Sequence, residues 1–403
     1  MNTSVERGQP GAILRNRPLL TLMLGHFTVD AYVGLLPVLY PLLIARFSLS
    51  FETVGLVSLA YSGTASLAQP LFGLVADRYG TRFIGLALIW TATVFATIGF
   101  APTFPALLAL AAAAGLGSAA YHPLGAVNAN AVIPEGQRNT AMSIYSTGGT
   151  LGVALGPLIG VVIFSLLGVR GTALMVLPGV GVAVWLLGEM RSIGISRPTH
   201  EERRATPRAP VPILLLLPII VVMMSRTCTL YVLEAFIPTW YKSLGYGASF
   251  YGPLATTVIL ASAAGTIGSG TLADRYGKRA ITIVSLALTV PALLLFTAFV
   301  GPIAFVTAAL VGLLAASTTP LMLVMAQALM AGRTGMASGL VLGLGFVTGA
   351  IGVPVTGALA DALGLRTALR LQVVLVAATI VVAFFLPGEG RLGKVESKGS
   401  SRL

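Results

Sequence analysis

The chain has 403 residues, of which 56% are hydrophobic and only 9% charged. Soluble domains carry roughly a quarter charged residues, so a water-soluble globule is excluded and most of this chain must face lipid. The net charge of +12 sits in loops and termini without interleaved aromatic side chains, which argues against a nucleic-acid partner.

Apolar runs of about 20 residues can cross a hydrocarbon core roughly 30 Å thick. Such runs recur near 19–45, 53–76, 83–101, 104–132, 139–167, 171–189, 212–241, 250–273, 280–300, 302–330, 334–361 and 367–387. They predict an all-α membrane protein with twelve transmembrane helices. Before them, residues 1–18 form a polar arm without a small-residue cleavage site, so the first helix is expected to stay in the protein. The longest polar stretch inside the chain, 190–211, is read as a linker between an N-terminal six-helix bundle (19–189) and a C-terminal one (212–387). Residues 388–403 form a polar tail. Nineteen of the 25 Lys and Arg residues fall on one side of this topology. That asymmetry places both termini in the cytoplasm of a multi-pass cell (inner) membrane protein. The single cysteine, Cys228, excludes an internal disulfide framework, lies inside an apolar run and is read as helix packing, so it does not report the redox compartment.

One stretch occurs twice. Gly73-Leu-Val-Ala-Asp77-Arg78-Tyr-Gly80-Thr-Arg82 returns 197 residues later as Gly270-Thr-Leu-Ala-Asp274-Arg275-Tyr-Gly277-Lys-Arg279. At the same offset His122-Pro123-Leu124 matches Thr319-Pro320-Leu321, and Gly152, Pro157 and Gly160 match Gly349, Pro354 and Gly357. An even number of helices separates the copies, so the halves insert as parallel repeats about an axis along the membrane normal. A duplicated bundle has a seam at its middle, and a seam that opens to either side moves solutes. Prolines at Pro37, Pro41, Pro70, Pro123, Pro157, Pro238, Pro320 and Pro354 are expected inside spans, where neighbouring helices or cavity water can satisfy the freed carbonyls.

Ionisable residues deep in a span cost at least about 2.5 kcal/mol near the bilayer centre and so need a reason to be there. The chain offers His26 and Asp30 in the first helix, His122 in the fourth, and Arg226 and Glu234 in the seventh. His26 and Asp30 are four residues apart on one helix face, close enough to share a proton. Histidine, with an ordinary pKa of about 6.5, changes charge across the physiological range. These three are the candidate proton-coupling residues. Arg226 and Glu234 are candidate substrate contacts, Arg226 for an anionic group or for Asp30 itself. Tyr61, Gln69, Tyr121, Asn128, Tyr145, Tyr231 and Gln327 add polar handles. Gly148, Gly152, Gly156, Pro157 and Gly160 put small residues one turn apart on the fifth helix, which lets another backbone approach closely. No metal-binding cluster spacing and no cofactor motif is visible, and no nucleophile arrangement of an enzyme is recognisable.

Twelve spans, two parallel sixes, a basic central linker and the repeated G-x-L-A-D-R-x-G-x-R pattern resemble the major facilitator superfamily. Within it, His26-Phe-Thr-Val-Asp30 with Gly34-Leu-Leu-Pro37 and Tyr40-Pro41, then Thr64-Ala-Ser-Leu-Ala-Gln69-Pro70, then Tyr121-His122-Pro123, resemble the fosmidomycin-resistance family of efflux proteins. The resemblance implies two pseudo-symmetric bundles with helices one and four lining a central cavity. It also implies that Gly73, Asp77, Arg78, Gly80 and Arg82, with Asp274, Arg275, Gly277 and Arg279, latch the cytoplasmic side. The helix-five glycines resemble an antiporter motif. The expectation is a proton-driven antiporter, monomeric and surrounded by membrane lipid, that exports a small organic compound or drug. The alternative is a symporter or facilitator taking up an organic anion held by Arg226.

Overall fold

The computed structural model describes residues 16–132, 138–191, 212–330 and 334–388, and every regular element among them is helical. Asn16 starts the first helix: its side chain accepts the Leu19 N–H at 3.0 Å and donates to the Val132 carbonyl, which ties α1 (Arg17–Phe47) to the end of α4. α2 (51–79) opens under a Ser50 cap, runs through Phe51–Ser58, passes a π turn at Leu59–Gly63 and continues as Thr64–Tyr79. There follow α3 (Ile84–Thr97), α4 (Phe104–Ala131) and α5 (Arg138–Leu167). A 3-10 stretch, Gly168–Met175, leads into α6 (Val176–Glu189). The second half comprises α7 (Ile213–Ser243), α8 (Ala248–Tyr276), α9 (Lys278–Ala298), α10 (303–329), α11 (Thr334–Leu363) and α12 (Leu365–Ala383).

Nine helices among the described residues are long and apolar enough to cross a membrane. The remaining expected spans escape that criterion for local reasons. The π turn and polar residues interrupt α2, α3 is short, and 144–189 reads as one apolar stretch across the 3-10 segment. Pro320 lies inside its span as expected, at a break between two helical pieces. α10 breaks into Ile303–Ala316 and Thr319–Leu329, with Pro320 in the first turn of the second piece, where a missing N–H costs nothing. The outward surface is apolar, with Leu166 77% and Leu214 85% exposed, as lipid contact requires.

Packing partners repeat between the halves. α1 lies on α5 and α6, α2 on α4, and α3 on α6; in the same way α7 lies on α11 and α12, α8 on α10, and α9 on α12. Across the seam α2 meets α11, α5 meets α8, and α1 meets α7. These seam contacts concentrate at one end of the molecule. The start of α2 packs on α11 while its later part scarcely does, Lys242 Nζ donates to the Pro41 carbonyl at 3.5 Å, and Thr256 Oγ1 donates to the Ala154 carbonyl at 2.7 Å. This far end lies opposite the terminal end, where α1 begins and α12 finishes and where Arg17 pairs with Glu189 at 3.1 Å.

Candidate functional site

α1 and α5 approach backbone to backbone, and the glycines of α5 are the reason. A methyl group on Gly148 or Gly152 would overlap the carbonyl oxygens of Met23 or Phe27, and one on Gly156 would lie 2.7 Å from the Gly34 Cα. A methyl group on Gly160 would lie 3.1 Å from Leu35 Cδ2. The stripe therefore clamps α1, and with it the face that carries His26 and Asp30. The neighbouring Gly149, which the sequence reading passed over, leaves the room that the two side chains fill: a methyl there would sit 2.5 Å from both Asp30 Oδ2 and His26 Nε2. Its place beside Gly148 was the available signal.

The fold gathers the three expected groups. His26 Nε2 stands 3.2 Å from Asp30 Oδ2, and His122 Nε2, brought in by α4, stands 3.5 Å from Asp30 Oδ1. The imidazole of His26 stacks on the Tyr145 ring at 4.3 Å and lies 5.2 Å from the His122 ring. His26 Nδ1 is 2.9 Å from the Tyr145 backbone carbonyl. A carbonyl can only accept, so this contact assigns a hydrogen to Nδ1 and turns Nε2 toward the carboxylate. With a proton between them, Nε2 and Oδ2 form a charge-assisted pair; without it, lone pairs face each other in a largely dry setting. Donor atoms of the same three residues lie within 4.8 Å of one another, a set that could also hold a metal ion. Helix spacing along the chain could not reveal this grouping, because His122 arrives from another helix.

Asp30 and His122 open onto a cavity of about 360 Å³ at the seam. Its N-half wall includes Tyr61 in the π turn, Gln69 of α2, Gly149 and Pro157; its C-half wall includes Tyr231, Glu234 and Phe346. Ser58, Ser62, Ser118 and Thr150 add polar lining that the sequence reading did not select.

Several expected contacts lie elsewhere. Arg226 donates from Nε to the Ala315 carbonyl at 2.9 Å and from Nη1 toward Met223 Sδ at 3.7 Å, away from the cavity lining. Among the described residues it forms no ion pair with Asp30 or Glu234. Tyr121 is buried and donates to the Leu22 carbonyl at 3.1 Å, which joins α4 to α1. Asn128 accepts from Thr81 Oγ1 at 2.6 Å and anchors the α2–α3 turn to α4. Tyr145 acts through its ring and carbonyl on His26 rather than as a cavity wall. Gln327, on α10, also stands outside the lining. Of the terminal-end motifs, Gly80 and Gly277 close α2 and α8 at φ 84° and 88°, conformations that favour glycine. Gly73 has open space around it, and Arg275 lies over the Tyr276 ring. Arg279 donates to the Phe384 carbonyl at the end of α12. The side chains of Asp77, Arg78 and Asp274 lie outside the described residues, and Arg82 forms no ion pair among the described residues.

Known proteins share this architecture. A sequence model described as Major Facilitator Superfamily matches residues 22–268 and 219–402. The MFS-type transporter YfnC of Bacillus subtilis is 31% identical over 395 residues, covering 93% of each chain. The fosmidomycin resistance protein of Escherichia coli is 28% identical over 351 residues, covering 84% of this chain and 85% of that one. Among solved structures, a bacterial homologue of the human lysosomal transporter Spinster superposes with a TM-score of 0.81 at 18% identity, covering 96% and 98% of the two chains.

Proposed function

We propose that this chain, which belongs to the Major Facilitator Superfamily of transporters, is a proton-coupled antiporter that exports a small organic compound by alternating access. The reading rests on one observation above the rest: an acid with two imidazoles, His26, Asp30 and His122, at the wall of a cavity that both halves line. The repeated packing pattern supports two six-helix bundles and twelve spans, with 51–79 and 84–100 each counted as a span and 144–189 counted as two. The excess of Lys and Arg on one side supports cytoplasmic termini. A monomer in the cell membrane, with lipid around it, suffices for this scheme.

In the mechanism, a proton entering from outside settles between Asp30 and the imidazoles and favours release of cargo; its loss to the cytoplasm restores the site for the next molecule. The proton must bind the two states unequally, since equal binding would shift no equilibrium. Glu234, Tyr231, Gln69 and Tyr61 are the cargo-facing residues of the scheme. The uptake alternative relied on Arg226 as an anchor for an anion, and Arg226 is engaged by Ala315 outside the cavity lining, so export is the better-supported direction. The resistance conferred by the Escherichia coli relative points the same way. Fosmidomycin is therefore the first probe: accumulation in inverted vesicles is expected to rise when an inward-acid gradient is imposed. Equal accumulation with and without the gradient would refute proton coupling.

A further inference from the structure

α11 ends in Gly357-Ala-Leu-Ala-Asp361-Ala-Leu-Gly364-Leu-Arg366. The G-x-x-A-D-x-x-G-x-R frame of the terminal-end motifs thus stands a third time, at the far end. The local structure agrees with the letters. Gly80, Gly277 and Gly364 each donate their N–H to the carbonyl of the alanine four residues back, all at 2.8 Å and with φ of 84°, 88° and 81°. The arginines mirror each other: Arg279, at the start of α9, donates to the last turn of α12, and Arg366, at the start of α12, donates to the Thr297 and Ala298 carbonyls at the end of α9, at 2.7 and 2.6 Å. α8–α9 and α11–α12 are one unit used in opposite orientations, the nested inverted repeat of such folds.

Asp361 reaches across the seam. Its Oδ1 accepts the Phe51 N–H at 2.7 Å and its Oδ2 the Glu52 N–H at 2.9 Å. These are the first two amides of α2, which no helical carbonyl can satisfy. The next two are met locally, Thr53 N by Ser50 Oγ at 3.1 Å and Val54 N by the Ser50 carbonyl at 3.0 Å. The cap of an N-half helix is therefore completed only by a carboxylate of the C-half. A methyl group on Gly357, one turn before Asp361, would lie 2.6 Å from the Glu52 nitrogen, so this glycine permits the approach. At the 197-residue offset the N-half has Gly160 but Phe164 in place of the acid, with Gly168 and Arg170 displaced by one residue, so Asp361 has no acidic counterpart there.

We propose that Asp361 is the far-end gate residue of the transport cycle: its carboxylate holds the start of α2 against α11 while the cavity is shut on that side, and it must let go whenever the cavity opens there. The carboxylate is exposed, so water can take over the released amides and the latch is reversible. The proposal rests on the alternating-access reading. The test uses full-length protein in lipid nanodiscs with Cys228→Ala, spin-labelled at Ala45→Cys on α1 and Thr367→Cys on α12, both exposed far-end positions. Distances are recorded by double electron–electron resonance with and without fosmidomycin. Asp361→Asn is expected to raise the ratio of wide to narrow distances about fivefold, the factor set by losing one charged helix cap. Phe51→Pro removes one donor while leaving the acid, at a position where proline suits the first helical turn; it is expected to move the ratio the same way, and Phe51→Leu, which keeps the N–H, is expected not to. An unchanged ratio in both Asp361→Asn and Phe51→Pro overturns the latch while leaving two-state opening intact. A single distance in every variant and condition overturns the latch and alternating access together.

Discussion

Replacing Gly149 by alanine tests the site at its tightest point. The new methyl would lie 2.5 Å from Asp30 Oδ2 and 2.5 Å from His26 Nε2, whereas van der Waals contact needs about 3.5 Å. Acid and imidazole must together withdraw by about 1 Å, and the present 3.2 Å contact between them cannot survive that. Overpacking of this kind costs about 1–3 kcal/mol of stability, but a misplacement of about 1 Å at a reacting centre costs on the order of 100-fold in rate. Gly149→Ala is therefore expected to remain folded, with a modest fall in thermal midpoint, and to lose nearly all gradient-driven accumulation of fosmidomycin. Gly148→Ala supplies the contrast: its methyl strikes the Met23 backbone, which cannot rotate away, so stability is expected to fall further. The comparison is made on purified protein by thermal unfolding and on inverted vesicles by transport. Full gradient-driven transport by Gly149→Ala would refute the claim that the 3.2 Å contact carries the proton.

Asp30→Asn should abolish gradient-driven accumulation while leaving fosmidomycin exchange across the membrane at equal pH; retention of gradient-driven transport would remove Asp30 from the coupling. Arg226→Met leaves the Ala315 carbonyl without its donor and is expected to cost about 1–3 kcal/mol, read as a lower thermal midpoint with the apparent KM for transport unchanged. Thr81→Val strips a buried hydrogen bond from Asn128 and should lower stability by about 1–3 kcal/mol with no change in which drugs are resisted; a changed drug profile would return Asn128 to the binding site. Glu234→Gln is expected to alter the drug profile with little effect on the thermal midpoint, because Glu234 faces the cavity and no described residue forms an ion pair with it.

The sequence announced the membrane class through hydropathy, because lipid imposes long apolar runs, and it announced the duplication through Asp77 and Asp274. It also announced the pairing of His26 with Asp30, since four residues along a helix make neighbours. His122 was legible as a buried ionisable group, while its distance from Asp30 depends on how α4 lies against α1 and is written nowhere along the chain. Arg226 misled for a related reason. Its depth in α7 could be counted, but which way it faces is settled by α10, whose break at 317–318 presents the Ala315 carbonyl. Tyr121, Tyr145 and Asn128 carry the same polar atoms as true cavity residues; only helix packing distinguishes a side chain that ties two helices from one that meets cargo. The glycines of α5 were recognised as a packing stripe, and the structure names the partner as α1.

His26, Asp30 and His122 all come from the first six helices, on α1 and α4, and the clamp that fixes α1, namely α5, belongs to that same half. The other half supplies Tyr231, Glu234 and Phe346 to the cavity wall but no member of the cluster. In the proposed scheme the proton site thus belongs to one half while both halves face cargo, so substitutions at Tyr231, Glu234 and Phe346 reshape the second wall without touching the groups that hold the proton.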